Sequence, residues 1–293
     1  MPFEPASTRV VHNPKSGSPA SRARARSVAV ALEERGFELR ATTGAGHACE
    51  LARDWARAGG TGLLVLGGDG TLFEAVRDLA PGFALGQLPV GTINLMAAAL
   101  RVPGEEAPFL ELVRARTTRA LRLGRANERR FVSVGSVGLD AEAVRCVGKA
   151  LKRRSSRLSY VEATLRRWPG YRARHLRAWL DGRELDGGLC GVLFGRQPFF
   201  AQTRRPGFPG ADPADERLHV VLLLGTGKLH TLVQVARVGA GAWSRPGWFE
   251  RAAVRHLRVE SDPPAPVELD GDFFGWTPLE VVVEDEPTPF LAP

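Results

Sequence analysis

Between Leu63 and Val76 the chain reads LLVLGGDGTLFEAV, so that Gly67-Gly68-Asp69-Gly70-Thr71 separates a buried-strand pattern from a helix-like one. Glycine tolerates positive φ and lets a ligand approach the backbone with no Cβ in the way. A helix opening near Thr71 would aim free N–H groups and its positive dipole end at the turn, which suits a phosphate. Asp69 is the type of residue that holds a metal-bound water beside phosphates, and Thr71 one that caps a helix or donates to an anion. The plain alternative is a tight turn. Two further polar loops carry glycine: Asn13-Pro14-Lys15-Ser16-Gly17 and Pro89-Val90-Gly91-Thr92-Ile93-Asn94. Turn residues and carboxylates at Asp212-Pro213-Ala214-Asp215-Glu216-Arg217 suit a hard, oxygen-ligated cation such as Mg²⁺, or a solvated acidic turn. Leu269-Asp270-Gly271-Asp272 offers two carboxylates for acid–base work, although Asp-Gly also favours a hairpin turn.

Other chemistries are excluded by spacing. Gly227-Lys228 is followed by Leu229 and lacks the upstream glycine of a Walker loop, and there is no G-x-S-x-G nucleophile elbow. Gly68-Asp69-Gly70 lacks the third glycine of a dinucleotide fingerprint. The six histidines are scattered, which excludes zinc-site spacing.

Positioning these loops requires alternating strands and helices. RVVHNP, FELRAT, GLLVL and ALGQLPVGT have strand patterns, and helical spacing is expected over Ser18–Arg35, His47–Ala58, Thr71–Leu79 and from Ile93 to Leu100. Such alternation predicts a parallel sheet with helices on both faces, whose carboxyl edge would gather all three glycine loops. After Gly124 come short β-like runs divided by Gly, Pro and Asp: FVSVGSVG, LRAWLDG, LCGVLFG, LHVVLLLG, VRHLRVES and PLEVVVED. They predict a mostly antiparallel sandwich or barrel, interrupted by a helical insert near Ala141–Trp168. The expected division is an α/β domain over 1–124 and a β-rich domain over 125–293, whose last residues are able to return to the first, with a site in the cleft between them.

Composition sets the outer limits. The chain has 293 residues, 44% hydrophobic and 25% charged, in the range of an ordinary folded protein. No secretory h-region opens it, and the longest apolar run, Val220 to Leu224, is far short of a membrane span. Three separated cysteines, Cys49, Cys146 and Cys190, suggest reduced thiols and a cytoplasmic setting. The net charge of +8 favours anionic partners. No helix-turn-helix, stacking-aromatic or zinc signature supports nucleic acid. Ten basic residues (Arg145, Lys149, Lys152, Arg153, Arg154, Arg157, Arg166, Arg167, Arg172, Arg174) stand against one acid, Glu162, with Leu158, Tyr160, Leu165 and Trp168 interleaved. This stretch has the makeup of an interfacial segment on an anionic membrane.

NPKSG, GGDGT and VGTIN, in this order, resemble the catalytic domain of the bacterial diacylglycerol kinase-like lipid kinases, a superfamily that includes sphingosine and ceramide kinases. VGLDAEAV, DPADERLHVVLL and ELDGDFF extend the resemblance over nearly the whole chain. The resemblance implies an α/β, NAD kinase/diacylglycerol kinase-like N-terminal domain and a C-terminal β-sandwich lipid domain. It implies ATP with Mg²⁺ in the cleft, a lipid substrate at the membrane surface, peripheral membrane association and a homodimer as an open oligomeric state. It places ATP phosphates on Gly67, Gly68, Asp69, Gly70 and Thr71, with Asn13, Thr42, Thr92 and Asn94 bordering the nucleotide. By the same resemblance, a structural Mg²⁺ takes the Asp215 carboxylate and the carbonyls of Asp212 and Arg217. Asp272 becomes the general base, where relatives carry Glu, with Asp270 as its neighbouring alternative. Three departures stand out: Asn94-Leu95 for the usual Asn-Asp, PFFAQTRRPGFPG for a glycine-rich stretch, and Asp270-Gly271-Asp272 for Asp-Gly-Glu. The rival readings are a soluble NAD kinase-like nucleotide kinase, whose T-G-S-T-A-Y signature is absent, and a non-catalytic nucleotide or lipid binder.

Overall fold

The computed structural model describes residues 2–146, 174–199, 207–240 and 247–293. They form two compact units: Met1–Leu123 with Glu284–Pro293, and Gly124–Val283.

In the first unit strands and helices alternate: β1 (Thr8–His12), α1 (Pro19–Glu33), β2 (Glu38–Ala41), α2 (His47–Arg57), β3 (Gly62–Gly67), α3 (Asp69–Val76) and β4 (Ala84–Pro89). Then come α4 (Leu95–Ala99), α5 (Glu106–Ala115) and β5 (Thr118–Leu121). All six residues of β3 are buried, as expected for a central parallel strand covered on both faces. Ser18 caps α1 by accepting from the Ser21 amide, with Pro19 in the first turn, where its missing N–H costs nothing. Cys49 on α2 is a free thiol, and burial raises its pKa to about 11.

The second unit contains β6 (Gly124–Ala126), β7 (Arg129–Phe131), β8 (Val134–Gly138), α6 (Leu139–Cys146), β9 (Leu176–Leu180), β10 (Arg183–Gly195) and β11 (Leu218–Leu224). It continues through α7 (Lys228–Ala240), β12 (Phe249–Val254), β13 (His256–Ser261), β14 (Pro266–Leu269), β15 (Asp272–Trp276) and β16 (Leu279–Val283). Its strands pair antiparallel in the order β15-β14-β8-β10-β9-β13-β16-β6-β7, with β11 joining β10 to β12. Register shifts in β10 at Leu185/Leu189 and Leu189/Gly191 let it pair β9 with one end and β8 with the other. The sheet therefore curls around an apolar core of Phe131, Val192, Phe194, Leu222, Leu257 and Val281.

The chain returns to the first unit as β17 (Thr288–Leu291), which inserts between β4 and β5, so the first sheet runs β2-β1-β3-β4-β17-β5. The N-terminal α/β unit with a parallel sheet and the C-terminal β-rich unit match the expected fold class. Three details were not anticipated. The expected Thr71–Leu79 helix begins at Asp69, α5 and α7 lie where no helix was expected, and β17 pairs β4 parallel but β5 antiparallel. Of the insert expected near 141–168, α6 covers the start, and the remainder lies outside the described residues, as do the basic residues between Lys149 and Arg172. No helix among the described residues is long and apolar enough to cross a membrane.

Candidate functional site

The three glycine loops meet at the carboxyl edge of the first sheet, and they meet through backbone. A Cβ on Gly17 would lie 1.8 Å from the Val90 carbonyl oxygen, and one on Gly91 would lie 2.6 Å from the Gly68 Cα. Gly67 is confined by Thr71, whose Cβ would be 2.8 Å away. At Gly70 a Cβ would meet nothing within 4 Å, so this glycine marks the open side of the turn. The contacts require glycine at 17, 67 and 91 for packing, and leave Gly70 exposed for an incoming group.

Side chains lock the junction. Asn13 donates from Nδ2 to Thr71 Oγ1 at 2.9 Å and accepts the Lys15 amide at Oδ1. The Gly68 amide donates to Ser16 Oγ at 2.9 Å, and buried Gln87 donates to the Gly67 carbonyl at 3.3 Å. Asn94, at φ 53°, closes its own loop by accepting the Gly91 amide and donating to the Gly91 carbonyl. Asp69 accepts the Leu95 amide at Oδ2, 3.0 Å, which ties the second loop to the third. Its Oδ1 is buried without a hydrogen bond among the described residues. Burial raises the Asp69 pKa, against the pull of the amides of Leu95, Asn94 and Met96 and the Gln87 side chain. The first-turn amides of α3, Asp69 and Gly70, have no helical acceptor. Unsatisfied donors beside an open glycine, with a buried carboxylate oxygen below them, make a fitting place for phosphate and its counter-cation.

Thr42 sits just past β2, buried, its amide bonded to the His12 carbonyl at 2.8 Å, and Thr92 is exposed. Of the expected residues in this unit, Asn13, Gly67, Gly68, Asp69, Thr71 and Asn94 are joined by hydrogen bonds or backbone contact. Ser16, Gly17, Gln87 and Gly91 complete the junction. Gly17 and Gly91 stand in the loops that the sequence singled out, whereas nothing in the spacing marks Gln87, a strand residue.

In the second unit, Asp270-Gly271 is a two-residue hairpin turn between β14 and β15, with φ of 52° and 85°. This is the hairpin turn that the Asp-Gly pair favours, and it takes Asp270 off the strand that Asp272 opens. The Asp270 carboxylate accepts the amides of Val132, Ser133 and Val134 at 2.8, 2.8 and 3.2 Å. Asp270 is a structural clamp. Asp272 opens β15 and is exposed.

Beside the turn, buried Glu268 forms with half-buried Asp140 an acid pair that no motif in the sequence marked as such. Ser136 Oγ is 2.8 Å from Asp140 Oδ2 and 3.0 Å from Glu268 Oε2, and Glu268 Oε1 accepts the Gly271 amide. One hydroxyl hydrogen shared between two ionised carboxylates leaves both under-satisfied, so the arrangement favours a proton on one of them. Burial raises the Glu268 pKa well above its ordinary value, and the nearby Asp140 charge adds to the rise. A carboxyl whose folded pKa is raised stabilises the fold at acid pH and loses that contribution as pH climbs through the raised value. Gln at 268 can still accept from Gly271 and donate to Ser136. Glu268→Gln is therefore expected to melt like the parent at low pH and to gain about 1 kcal/mol at pH 8, followed by thermal melts across pH.

The loop 212–217 is closed from inside. Arg196, fully buried, donates to the carbonyls of Asp215 and Arg217 and, at 3.3 Å, to that of Pro213. The Asp212 carbonyl accepts the Asp215 amide, and Asp215 Oδ1 accepts the Arg217 amide. Asp215 Oδ2 lies 3.6 Å from His219, whose pKa burial lowers. Among the described residues no group of three His, Cys, Asp or Glu is arranged to hold a metal. Each of the three expected donors accepts a hydrogen bond from protein, the Arg217 carbonyl from the Arg196 guanidinium, and each keeps a further lone pair for a cation. Arg196→Met is expected to cost about 3 kcal/mol in denaturant unfolding by orphaning buried carbonyls, while the parent shows one midpoint in Mg²⁺ and in chelator. A midpoint that Mg²⁺ raises in the parent and in Asp69→Asn but not in Asp215→Ala would show that the loop takes the ion.

Comparison with known proteins agrees with this geometry. Residues 7–126 match the model of the diacylglycerol kinase catalytic domain, and residues 133–289 that of the YegS C-terminal NAD kinase beta sandwich-like domain. The chain is 30% identical over 284 residues to a diacylglycerol kinase of Bacillus subtilis, covering 94% of this chain and 92% of that one. It is 30% identical over 272 residues to a protein of Pseudomonas aeruginosa named "Probable lipid kinase YegS-like", covering 90% and 86%. A solved diacylglycerol kinase structure from Bacillus anthracis superposes with a TM-score of 0.71 at 17% identity, covering 98% of this chain and 97% of that one, a likeness of fold. With matching models over both units and the glycine-loop junction in place, the chain belongs to the bacterial diacylglycerol kinase-like lipid kinase family.

Proposed function

We propose that this protein transfers the γ-phosphoryl group of ATP to a hydroxyl of a membrane lipid, diacylglycerol-like or sphingoid/ceramide-like. The observation that carries the reading is the junction of three loops at the sheet edge, where the amides of Asp69 and Gly70 stand beside open space at Gly70. Gly67 to Thr71 would hold the phosphates, with Asn13, Thr42, Thr92 and Asn94 framing the nucleotide. Asp69 would hold Mg²⁺ on its buried carboxylate side, and the ion would neutralise charge on the transferring phosphoryl group.

Asp272 is the proposed base. As the lipid oxygen bonds to the γ-phosphorus and the bond to ADP breaks, the hydroxyl proton passes to the Asp272 carboxylate. Asp270, with three amides on its oxygens, is in no position to compete. Asp is one methylene shorter than Glu, so the acceptor hydroxyl must come closer to the turn or reach it through a water.

A nucleotide kinase is the second reading, because the β-rich unit matches a domain described as NAD kinase-like. Purified protein with labelled ATP, a panel of diacylglycerol, monoacylglycerol, phosphatidylglycerol, ceramide and sphingoid base, and NAD in parallel, separates the two. A labelled organic-phase product is expected. Label found only in NADP would replace the lipid reading.

A further inference from the structure

The turn that presents Asp272 is fixed by two carboxyl side chains. Asp270 takes the amides of Val132, Ser133 and Val134, which ties the turn to the start of β8. Glu268 accepts the amide of Gly271, the residue directly before Asp272. That bond sets the peptide plane from which Asp272 begins. Glu268 is only 3% exposed, and it stands opposite Ser136 in the pairing of β14 with β8. Ser136 Oγ reaches on to Asp140 Oδ2, in the first turn of α6. A row of polar groups therefore runs from the turn to the helix.

A single proton on Glu268 Oε2 gives this row one direction. The Gly271 amide donates to Glu268 Oε1, Oε2–H donates to Ser136 Oγ, and Ser136 Oγ–H donates to Asp140. The proton belongs on Glu268 for two reasons. Glu268 is the more buried acid, and Asp140 lies where the α6 dipole favours an anion. The other charged groups nearby leave this balance standing. Asp270 adds repulsion to an ionised Glu268, and Asp272 is exposed. On α6, Glu142 pairs with Arg145 at 2.6 Å, and β8 carries no titratable side chain. An ionised Glu268 would face two other anions out of water, and it gains more by reaching solvent than by keeping one amide.

We propose that Glu268 is the positioning residue for Asp272, holding the Asp270–Gly271 turn as a neutral acid whose one proton is shared through Ser136 with Asp140. Its part in phosphoryl transfer rests on the lipid-kinase reading, in which Asp272 takes the proton of the acceptor hydroxyl. Loss of the Glu268 proton releases the Gly271 amide and lets Asp272 drift. Turnover then declines on the alkaline side while ATP still binds, because the glycine loops belong to the other unit.

The kinetic test compares two substitutions in the full-length protein. Glu268→Ala removes the acceptor for Gly271, and kcat should fall roughly tenfold with KM for ATP unchanged. Glu268→Gln still accepts from Gly271 and donates to Ser136, so it should rescue that loss and abolish the alkaline decline seen in the parent. The same alkaline decline in parent and Gln variant, or a folded Ala variant with parental kcat, would overturn the proposal. A second measurement needs neither ATP nor lipid, and it decides the matter even if the Ala variant unfolds. In NMR of protein with carboxyl-labelled glutamate and amide-labelled glycine, one Glu carboxyl should be protonated at neutral pH and missing from Glu268→Gln. Its titration should share a midpoint with the Gly271 amide. A Glu268 ionised at neutral pH, or a Gly271 amide indifferent to its titration, would overturn the proposal. Coinciding titrations in a parent that phosphorylates no lipid would sink the kinase reading alone.

Discussion

Asp272→Asn is expected to lower kcat by about 10²–10⁴-fold while ATP still binds, because removing a general base removes the proton acceptor and little else. The substitution keeps the size of the side chain. Asp272 is exposed at the start of β15, outside the apolar core, so the fold should not register the change. The neighbouring turn should also hold, since its bonds come from Asp270 and Glu268. Asp272→Glu should remain active, the longer arm reaching the same hydroxyl. Measured turnover of the Asn variant at the parent level would reduce Leu269–Asp272 to a hairpin turn.

Asp69→Asn is expected to lose about 10²–10³-fold in turnover and to melt no lower than the parent, a combination that separates a functional charge from a structural one. Asn can accept the Leu95 amide as Asp69 does, so the tie between the second and third loops survives. What disappears is a negative charge held in a half-buried place with one oxygen unpaired. Because burial raises its pKa, the ionised form costs stability at neutral pH, and the neutral amide avoids that cost. In the metal-free protein Asp69 takes up its proton at a higher pH than an ordinary Asp, so Mg²⁺ and nucleotide should bind more weakly as pH falls. A variant with full turnover, or one that unfolds at a markedly lower temperature, would recast Asp69 as a loop brace.

Much of this was legible in the chain. Strand and helix periods in the first half are local properties, so β1 to β4 and the helices between them fall close to their expected places. A loop following a strand and preceding a helix is bound to the carboxyl edge of a parallel sheet, and this gathers NPKSG, GGDGT and VGTIN at one end. The motif resemblance then named a family to which the chain does belong. The Asp-Gly pair offered both acid–base chemistry and a hairpin turn, and the two positive φ values at Asp270 and Gly271 are those of the turn.

The sequence alone thus determined the fold class, the family and the loops that could do chemistry, because each depends on residues near one another in the chain. Only the tertiary structure decided what those residues touch. Ser136 brings Glu268 to Asp140 from 132 positions away, and Arg196 closes a loop whose carbonyls lie 17 to 21 positions further along the chain. The row from Gly271 to Asp140 exists only in the register that sets Glu268 opposite Ser136. Hydrogen-bond satisfaction and burial are properties of assembled surfaces, so no periodicity or spacing in the chain announces them.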